Sequence, residues 1–308
     1  MTGFVGRRLA QALLQIWGAI TIVFVALRVL PGDPAELILG SQATPEQLAG
    51  LRAQLGLDDP LPVQYLHHLQ GLLRLDFGQS WRQGMSALDA CLERLGPTLV
   101  LSAWAMVFTV VLGFLAGSYA ARHANSAADR LISVSSLVGQ ALPPFWIGIM
   151  LSLIFARGLQ ILPSTADGTM ASLLLPAFTL ALPFVGWLGR LVRTGVLEEM
   201  NQDYVRTARA KGMSDSVVFY IHVLRNTLVP VVTMLGLLMG NFIANGVIVE
   251  VVFAWPGIGR LLVDSITFRD YAVVEAVLTV ITVCYITLNL LVDVLYGYLD
   301  PRIQLENA

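Results

Sequence analysis

The sequence predicts an all-α, polytopic membrane protein on three observations: long uncharged apolar runs, a scarcity of charge, and basic residues gathered in alternate connections. Of the 308 residues, 56% are hydrophobic and 13% charged, with a mean hydropathy of +0.71, whereas a soluble domain carries about 25% charged residues. Uncharged runs extend from Gly96 to Ala121, Leu131 to Ala156, Gly168 to Gly189, Asn226 to Val249 and Ala276 to Val292. At about 1.5 Å per residue, each has the length needed to cross a hydrocarbon core of roughly 30 Å. A further run, Leu9 to Leu30, is broken only by Gln11, Gln15 and Arg28, and Arg28 is close enough to its end to snorkel. Six spanning helices are therefore expected. Lipid cannot satisfy open backbone groups, and the short alternating segments of a barrel are absent. The first run is expected to stay as a helix, since Arg28, Pro31 and Asp33 stand where a small-residue cleavage site would be needed.

Orientation follows from Lys and Arg, which resist translocation. With the N-terminus inside, segments 1–8, 122–130, 190–225 and 293–308 are cytoplasmic and hold 11 of the 19 basic residues. The longer outer segments, 31–95, 157–167 and 250–275, hold 7. Both termini are thus expected in the cytoplasm. Cys91 is expected outside and Cys284 inside the sixth span, so no internal disulfide is expected.

The 31–95 segment is too long for an unstructured connection and has its own helix punctuation. Thr44, Pro45 and Glu46 read as cap and first turn, Leu48, Leu51 and Leu55 as an apolar stripe, and Gly56 as the stop. A second start lies at Asp59 and Pro60, followed by a stripe of Val63, Leu66, Leu69 (or Gln70) and Leu73. A third amphipathic piece runs from Ser86 through Leu88, Cys91, Leu92 and Leu95. Together these predict a small outer subdomain on the membrane face. Pro143 with Pro144, then Pro176 and Pro183, interrupt the third and fourth spans, as kinks in a packed bundle or as hinges. Gly236, Gly240 and Gly246, with Asn241 and Asn245, predict close helix approach or a polar pathway lining in the fifth span.

The 190–225 connection carries six basic residues, including Lys211, the only lysine. It reads as two short helices broken at Gly212. The first, from about Asn201 to Lys211, places Tyr204, Ala208 and Lys211 on one face; the second starts at the N-cap Ser214 and carries Val217, Val218, Ile221 and Leu224. The glycine is expected to end the first helix in a conformation that a side chain would strain. After the fifth span, Pro256 and Gly257 precede a short amphipathic helix of Ile258, Leu261, Leu262 and Ile266, with Arg260 and Asp264 four apart on its other side.

Several chemistries are excluded. A P-loop needs Gly-Lys-Ser/Thr, and the single lysine is followed by Gly212 and Met213. His67, His68, His123 and His222 all lie outside the spans, and no His/Cys metal spacing appears. The Gly257-x-Gly259 pair lacks the dinucleotide-binding unit around it. Ion-coupled carriers keep ionisable groups in their spans, and here Asp293 alone stands near the edge of one. That counts against an ion-coupled secondary transporter; a self-contained channel or such a carrier is the other class of transporter left open by the residues.

Four stretches, in order, carry a resemblance. They are Leu30-Pro31-Gly32-Asp33-Pro34; Asp203-Tyr204-Val205-Arg206-Thr207-Ala208-Arg209-Ala210-Lys211-Gly212, with His222 to Asn226 and Pro230; Glu250 to Arg260 through Trp255, Pro256 and Gly257, with Arg269-Asp270-Tyr271; and Asp293 leading to Leu299-Asp300-Pro301-Arg302. Over nearly its whole length the chain resembles the permease subunits of the dipeptide, oligopeptide and nickel branch of bacterial ABC importers. It departs from the general docking loop of such importers, with Arg206, Thr207 and Ala208 in place of Glu-Ala-Ala and Arg225 where a proline often stands; this branch commonly departs so.

The resemblance implies a type I ABC importer permease fold with an additional N-terminal helix and outer subdomain. Residues 1–30 form the cytoplasmic end and first span, 31–95 the outer subdomain, 96–297 the importer domain with its 190–225 loop, and 298–308 a cytoplasmic tail. It implies a transport subunit in the inner membrane without its own ATPase site, ATP and Mg being held by two cytoplasmic ATPase domains. The other partners implied are a second, homologous permease and an extracytoplasmic binding protein, with membrane lipid around them. Asp203 to Gly212 become the ATPase-docking element. Glu250, Trp255, Pro256, Gly257, Arg260, Asp264, Arg269 and Asp270 become the outer gate or binding-protein contact, and Asn241 and Asn245 are candidates for the pathway lining. Peptides, glutathione and nickel chelates are all handled by similar permeases.

Overall fold

In a computed structural model, residues 2–29, 34–40, 43–54 and 56–299 are described. Leu30 to Asp33, Leu55 and the end from Asp300 lie outside the described residues, as does the side chain of Asp293. Along the chain, α1 (Thr2–Val29), α2 (Pro34–Leu39), α3 (Pro45–Gln54) and α4 (Leu61–Leu73) precede the long α5 (Ala87–Arg122). Next come α6 (Ala127–Ala141), α7 (Pro144–Leu151) with a π-helical extension (Ser152–Gly158), and α8 (Met170–Met200). The short α9 (Asp203–Ala210) and α10 (Asp215–Val217) lead through a π-helical turn (Val218–Val223) into α11 (Leu224–Val252), followed by α12 (Ile258–Thr267) and α13 (Tyr271–Leu299). Among the described residues there is no strand, only an isolated bridge between Gln79 and Ser86.

Among the described residues, four helices are long and apolar enough to cross a membrane: Gly6–Val29, Ala87–Arg122, Met170–Met200 and Tyr271–Val292. The expected third span is not one helix. α6 and α7 meet at 108°, because Pro144 forces Pro143 out of the helical region; Leu142 and Pro143 are both extended, at ψ 134 and 137. Counted as one broken span, the pair makes five. The remaining predicted run lies on α11, whose described apolar stretch is Leu238–Val252.

The chain divides into two compact units, Met1–Pro97 with Pro256–Leu290, and Thr98–Trp255 with Leu291–Ala308. In the first, α3 opens on a reciprocal capping box: Thr44 N–H donates to Gln47 Oε1 at 2.9 Å and Gln47 N–H to Thr44 Oγ1 at 3.3 Å. Gly56 follows at φ +64, as the sequence anticipates. The stripe predicted on α4 is not the face that packs on α1. α4 packs on α1 through Tyr65, whose hydroxyl lies 2.6 Å from Thr21 Oγ1, through Tyr65 and His68 against the Phe24 ring, and through Gln64, which accepts from Arg28 at 3.0 Å. Val63, Leu66 and Leu73 are exposed. Aromatic and amide groups that can both pack and hydrogen-bond outcompete the aliphatic row for the inner position.

The piece predicted to start at Ser86 is the first part of α5. There Cys91 is buried in a cluster with Val273, Ala276 and Val277 of α13, so it does not stand clear of the sixth span; both cysteines are free.

In the second unit, Leu101 and Ala105 of α5, Leu173, Leu175, Ala177, Leu180 and Ala181 of α8, Leu238, Phe242 and Val249 of α11, and its C-cap Phe253 form one core. Between helices in lipid the driving force is close packing and not removal from water, and the glycines show where packing is closest. A Cβ at Gly117 would stand 2.4 Å from the Gly189 carbonyl oxygen, and one at Gly186 2.6 Å from that of Ser136. The close approach expected in the fifth span is absent at Gly246, where a Cβ would meet nothing within 4 Å. Asn245 turns its amide back to its own helix, donating to the Asn241 carbonyl at 2.9 Å.

Candidate functional site

The 190–225 connection is shorter than its charge suggests, because α8 carries Arg190 and Arg193 on as helix to Met200 and the π turn and α11 take residues from Val218 onward. What protrudes is α9 and the turn after it. Val205 and Ala208 are its buried face, within a core that holds Leu188, Val192 and Val196 of α8 and Val218, Phe219 and Val223 of the following turn. Tyr204 is half-buried and donates to Glu199; burial first, and the carboxylate second, push its phenol up from the usual value. Lys211 does not share the buried face. It is one residue past the end of α9 and exposed, so Val205, absent from the predicted face, takes the inward position.

α9 ends in a Schellman motif. Gly212, at φ +80, donates to the Arg209 carbonyl at 2.9 Å, and Met213 to that of Ala208 at 3.3 Å. Ser214 then caps α10, accepting from Val217 at 3.4 Å. Arg209 pairs with Asp215 at 3.1 Å across the turn, and Arg206 with Asp203 at 3.5 Å. Asp203, Arg206, Thr207, Arg209, Ala210, Lys211 and Gly212 together form an exposed surface on a two-residue foundation.

The base of this element is braced from another helix, which the sequence did not reveal. Arg193 of α8 forks onto Asp129 of α6, Nε to Oδ1 at 2.6 Å and Nη2 to Oδ2 at 2.8 Å. Arg190 donates to Gln140 at 2.5 Å. Asp129 also accepts from the Asn125 amide at 2.9 Å, while its own amide donates to Ser126.

The predicted outer element, 250–271, falls into both units. In the second unit, Glu250 is fully buried and accepts from Thr98 Oγ1 at 2.6 Å. Trp255 follows α11 after Ala254, which closes that helix at φ +51. In the first unit, α12 buries Ile258 and Leu261 but leaves Ile266 exposed, and Arg260 pairs with Asp264 at 3.8 Å. Asp270 is buried; it accepts from Ser80 Oγ at 2.5 Å and starts α13. Glu250 and Asp270 are thus internal hydrogen-bonding groups and not surface contacts. Pro256, Gly257, Arg260 and Asp264, with Arg82 and Arg94, line a cleft of about 400 Å³, and Arg82 stacks on Phe268, 3.5 Å from the ring centroid. Arg269 is exposed.

Residues 110–305 match the family described as binding-protein-dependent transport system inner membrane component, and residues 1–102 match the N-terminal family of the same transport membrane components. The chain is 38% identical over 309 residues to a probable peptide ABC transporter permease protein, y4tP, of Sinorhizobium fredii, an alignment that covers 98% of this chain and 99% of the relative. It is also 38% identical over 304 residues to the glutathione transport system permease protein GsiC of Salmonella typhimurium and of Escherichia coli, with 99% of each chain covered. An amino acid ABC transporter solved with histidines shares the fold at a TM-score of 0.53 and 16% identity, over 67% of this chain and 92% of that one. Apolar helices fit to cross a membrane, the order of the sequence motifs and full-length likeness to permeases agree, and the chain belongs to the inner-membrane permease components of binding-protein-dependent ABC importers.

Proposed function

We propose that this permease forms half of an inward pathway for peptide-like cargo, dipeptides, oligopeptides or glutathione, with nickel chelates as the further cargo class of its branch. Its partners are a second homologous permease, two cytoplasmic ATPase domains that hold ATP and Mg, and an extracytoplasmic binding protein. The termini and α9 face the cytoplasm of a bacterial inner membrane. Residues Asp203 to Gly212 are the ATPase contact, and the exposed parts of 255–269 are the outer gate or binding-protein contact, with Asn241 and Asn245 toward the pathway. The observation that carries coupling is α9 itself, a helix of 8 residues too short to be stable alone, held by Val205 and Ala208 in one buried cluster with the π-helical turn and the spanning helix α8, and stopped by Gly212. A rigid protrusion of this kind can pass a push from a closing partner into the span beneath it.

The test is transport in proteoliposomes. Uptake of cargo should require the second permease, the ATPases, ATP and the cargo-loaded binding protein together. Uptake by this chain alone without ATP would establish a channel or carrier instead. Topology is tested separately in a background free of Cys91 and Cys284: a cysteine at Gln54 should react with an impermeant thiol reagent in intact cells and one at Asn201 should not. Labelling of Asn201 from outside would reverse the proposed orientation.

A further inference from the structure

We propose that Asp129 and Arg193 are positioning residues that carry the stroke of α9 from α8 into the broken span α6–α7, an inference that rests on α9 being the ATPase contact. The geometry points to a clamp with a defined register. Gly186 of α8 lies against Ser136 of α6, and Arg193 holds Asp129. Each helix advances seven residues between the two contacts, two turns on an antiparallel pair. At the first contact the backbones approach closely, a Cβ at Gly186 standing 2.6 Å from the Ser136 carbonyl oxygen, and Arg190 donates to Gln140. At the second they are held by two parallel hydrogen bonds of 2.6 and 2.8 Å between a guanidinium and a carboxylate, a pairing that fixes direction as well as distance.

The clamp stands where a push from α9 arrives. Val205 and Ala208 share one buried cluster with Val218, Phe219 and Val223 of the π-helical turn and with Val192 and Val196 of α8, the residues flanking Arg193 within one turn. Asp129 is itself immobilised: the Asn125 amide donates to Oδ2 at 2.9 Å, and its own amide donates to the N-cap Ser126. At 3% exposure the carboxylate half of the pair is buried, while the Arg193 side chain keeps 29% of its surface exposed. Beyond α6 the chain breaks by 108° at the two prolines, so a displacement delivered at Asp129 reaches the bend between α6 and α7. Without the fork, α6 and α8 keep the Arg190–Gln140 hydrogen bond and the close approach at Gly186 but lose the charged tie at the end nearest α9.

The experiment uses the assembled complex in proteoliposomes, with its second permease, ATPases and binding protein. Variants Asp129→Asn and Arg193→Gln are compared with the parent for cargo moved per ATP hydrolysed and for cross-linking of a cysteine at Ala210 to the ATPase. In both variants the cross-link yield should match the parent while cargo per ATP falls about tenfold, within the span of inter-site couplings. Parental cargo per ATP in variants that cross-link normally overturns the clamp. Should either single variant fail to insert, the apolar pair Asp129→Leu with Arg193→Met keeps α6 and α8 packed: uncoupled transport by it supports the clamp, and parental stoichiometry overturns it, since packing alone would then suffice. Absence of the Ala210 cross-link in the otherwise unaltered protein overturns the docking role of α9, and the clamp with it.

Discussion

Substitution of Gly212 tests whether the surface of α9 depends on its left-handed stop. A Cβ at this position meets no heavy atom within 4 Å, so within the chain a side chain acts through the backbone alone, at φ +80. An L-residue pays about 1–2 kcal/mol in this region, and Asn is among the residues that visit it readily. Where that strain opens the turn, the population of the closed form falls by up to roughly 5- to 30-fold. Apparent affinity for a partner that needs the closed form falls by the same fraction. The expected order of loss is therefore Gly212→Asn least, Gly212→Ala next and Gly212→Val most, since a β-branched residue is a genuine outlier at positive φ. The assay titrates the ATPase subunits onto the permease pair in nanodiscs and reads binding-protein-stimulated ATP hydrolysis. Equal affinities across the series, or a greater loss for Asn than for Ala, would refute the backbone argument; the second result would show that side-chain bulk at the docking surface decides instead.

Two further substitutions probe helices of the same unit, and a third probes the stop of α12. Gly117→Ala places a Cβ 2.4 Å from the Gly189 oxygen and 2.8 Å from Val192 Cβ, so α5 and α8 must separate, at about 1–3 kcal/mol. The melting temperature of the solubilised complex should drop. Gly139→Ala, whose nearest neighbour is Leu182 Cγ at 3.6 Å, should leave it unchanged, and equal melting of the two variants would contradict the packing argument. Arg269→Gly removes a non-glycine residue from φ +56, where it closes α12 with Asp270 N–H on the Ser265 carbonyl at 2.8 Å. Relief of about 1–2 kcal/mol of strain, less about 0.5–1 kcal/mol of added chain entropy, should raise the melting temperature; a lowered one would show that the arginine side chain contributes more than its backbone costs.

The membrane-spanning character was legible in the sequence because it depends on composition over some twenty residues, a property no tertiary contact can reverse. The same holds for local stops and starts: Thr44 with Gln47, Gly56, Gly212 and Ser214 all act within one turn of themselves. The Arg260–Asp264 pair was equally readable, being set by helical spacing. What failed in the sequence was the choice among faces. On α4 the aliphatic stripe was legible, but the face that meets α1 was not: Tyr65, His68 and Gln64 face α1, since Thr21, Phe24 and Arg28 offer them partners that no α4 periodicity records. Charge misled similarly at Glu250 and Asp270, which polarity assigns to the surface and which Thr98 and Ser80, 152 and 190 residues away, hold inside. The fork between Asp129 and Arg193 joins residues 64 apart. Each of these partnerships exists only after distant segments are brought within hydrogen-bonding distance, and that was decided by tertiary structure alone.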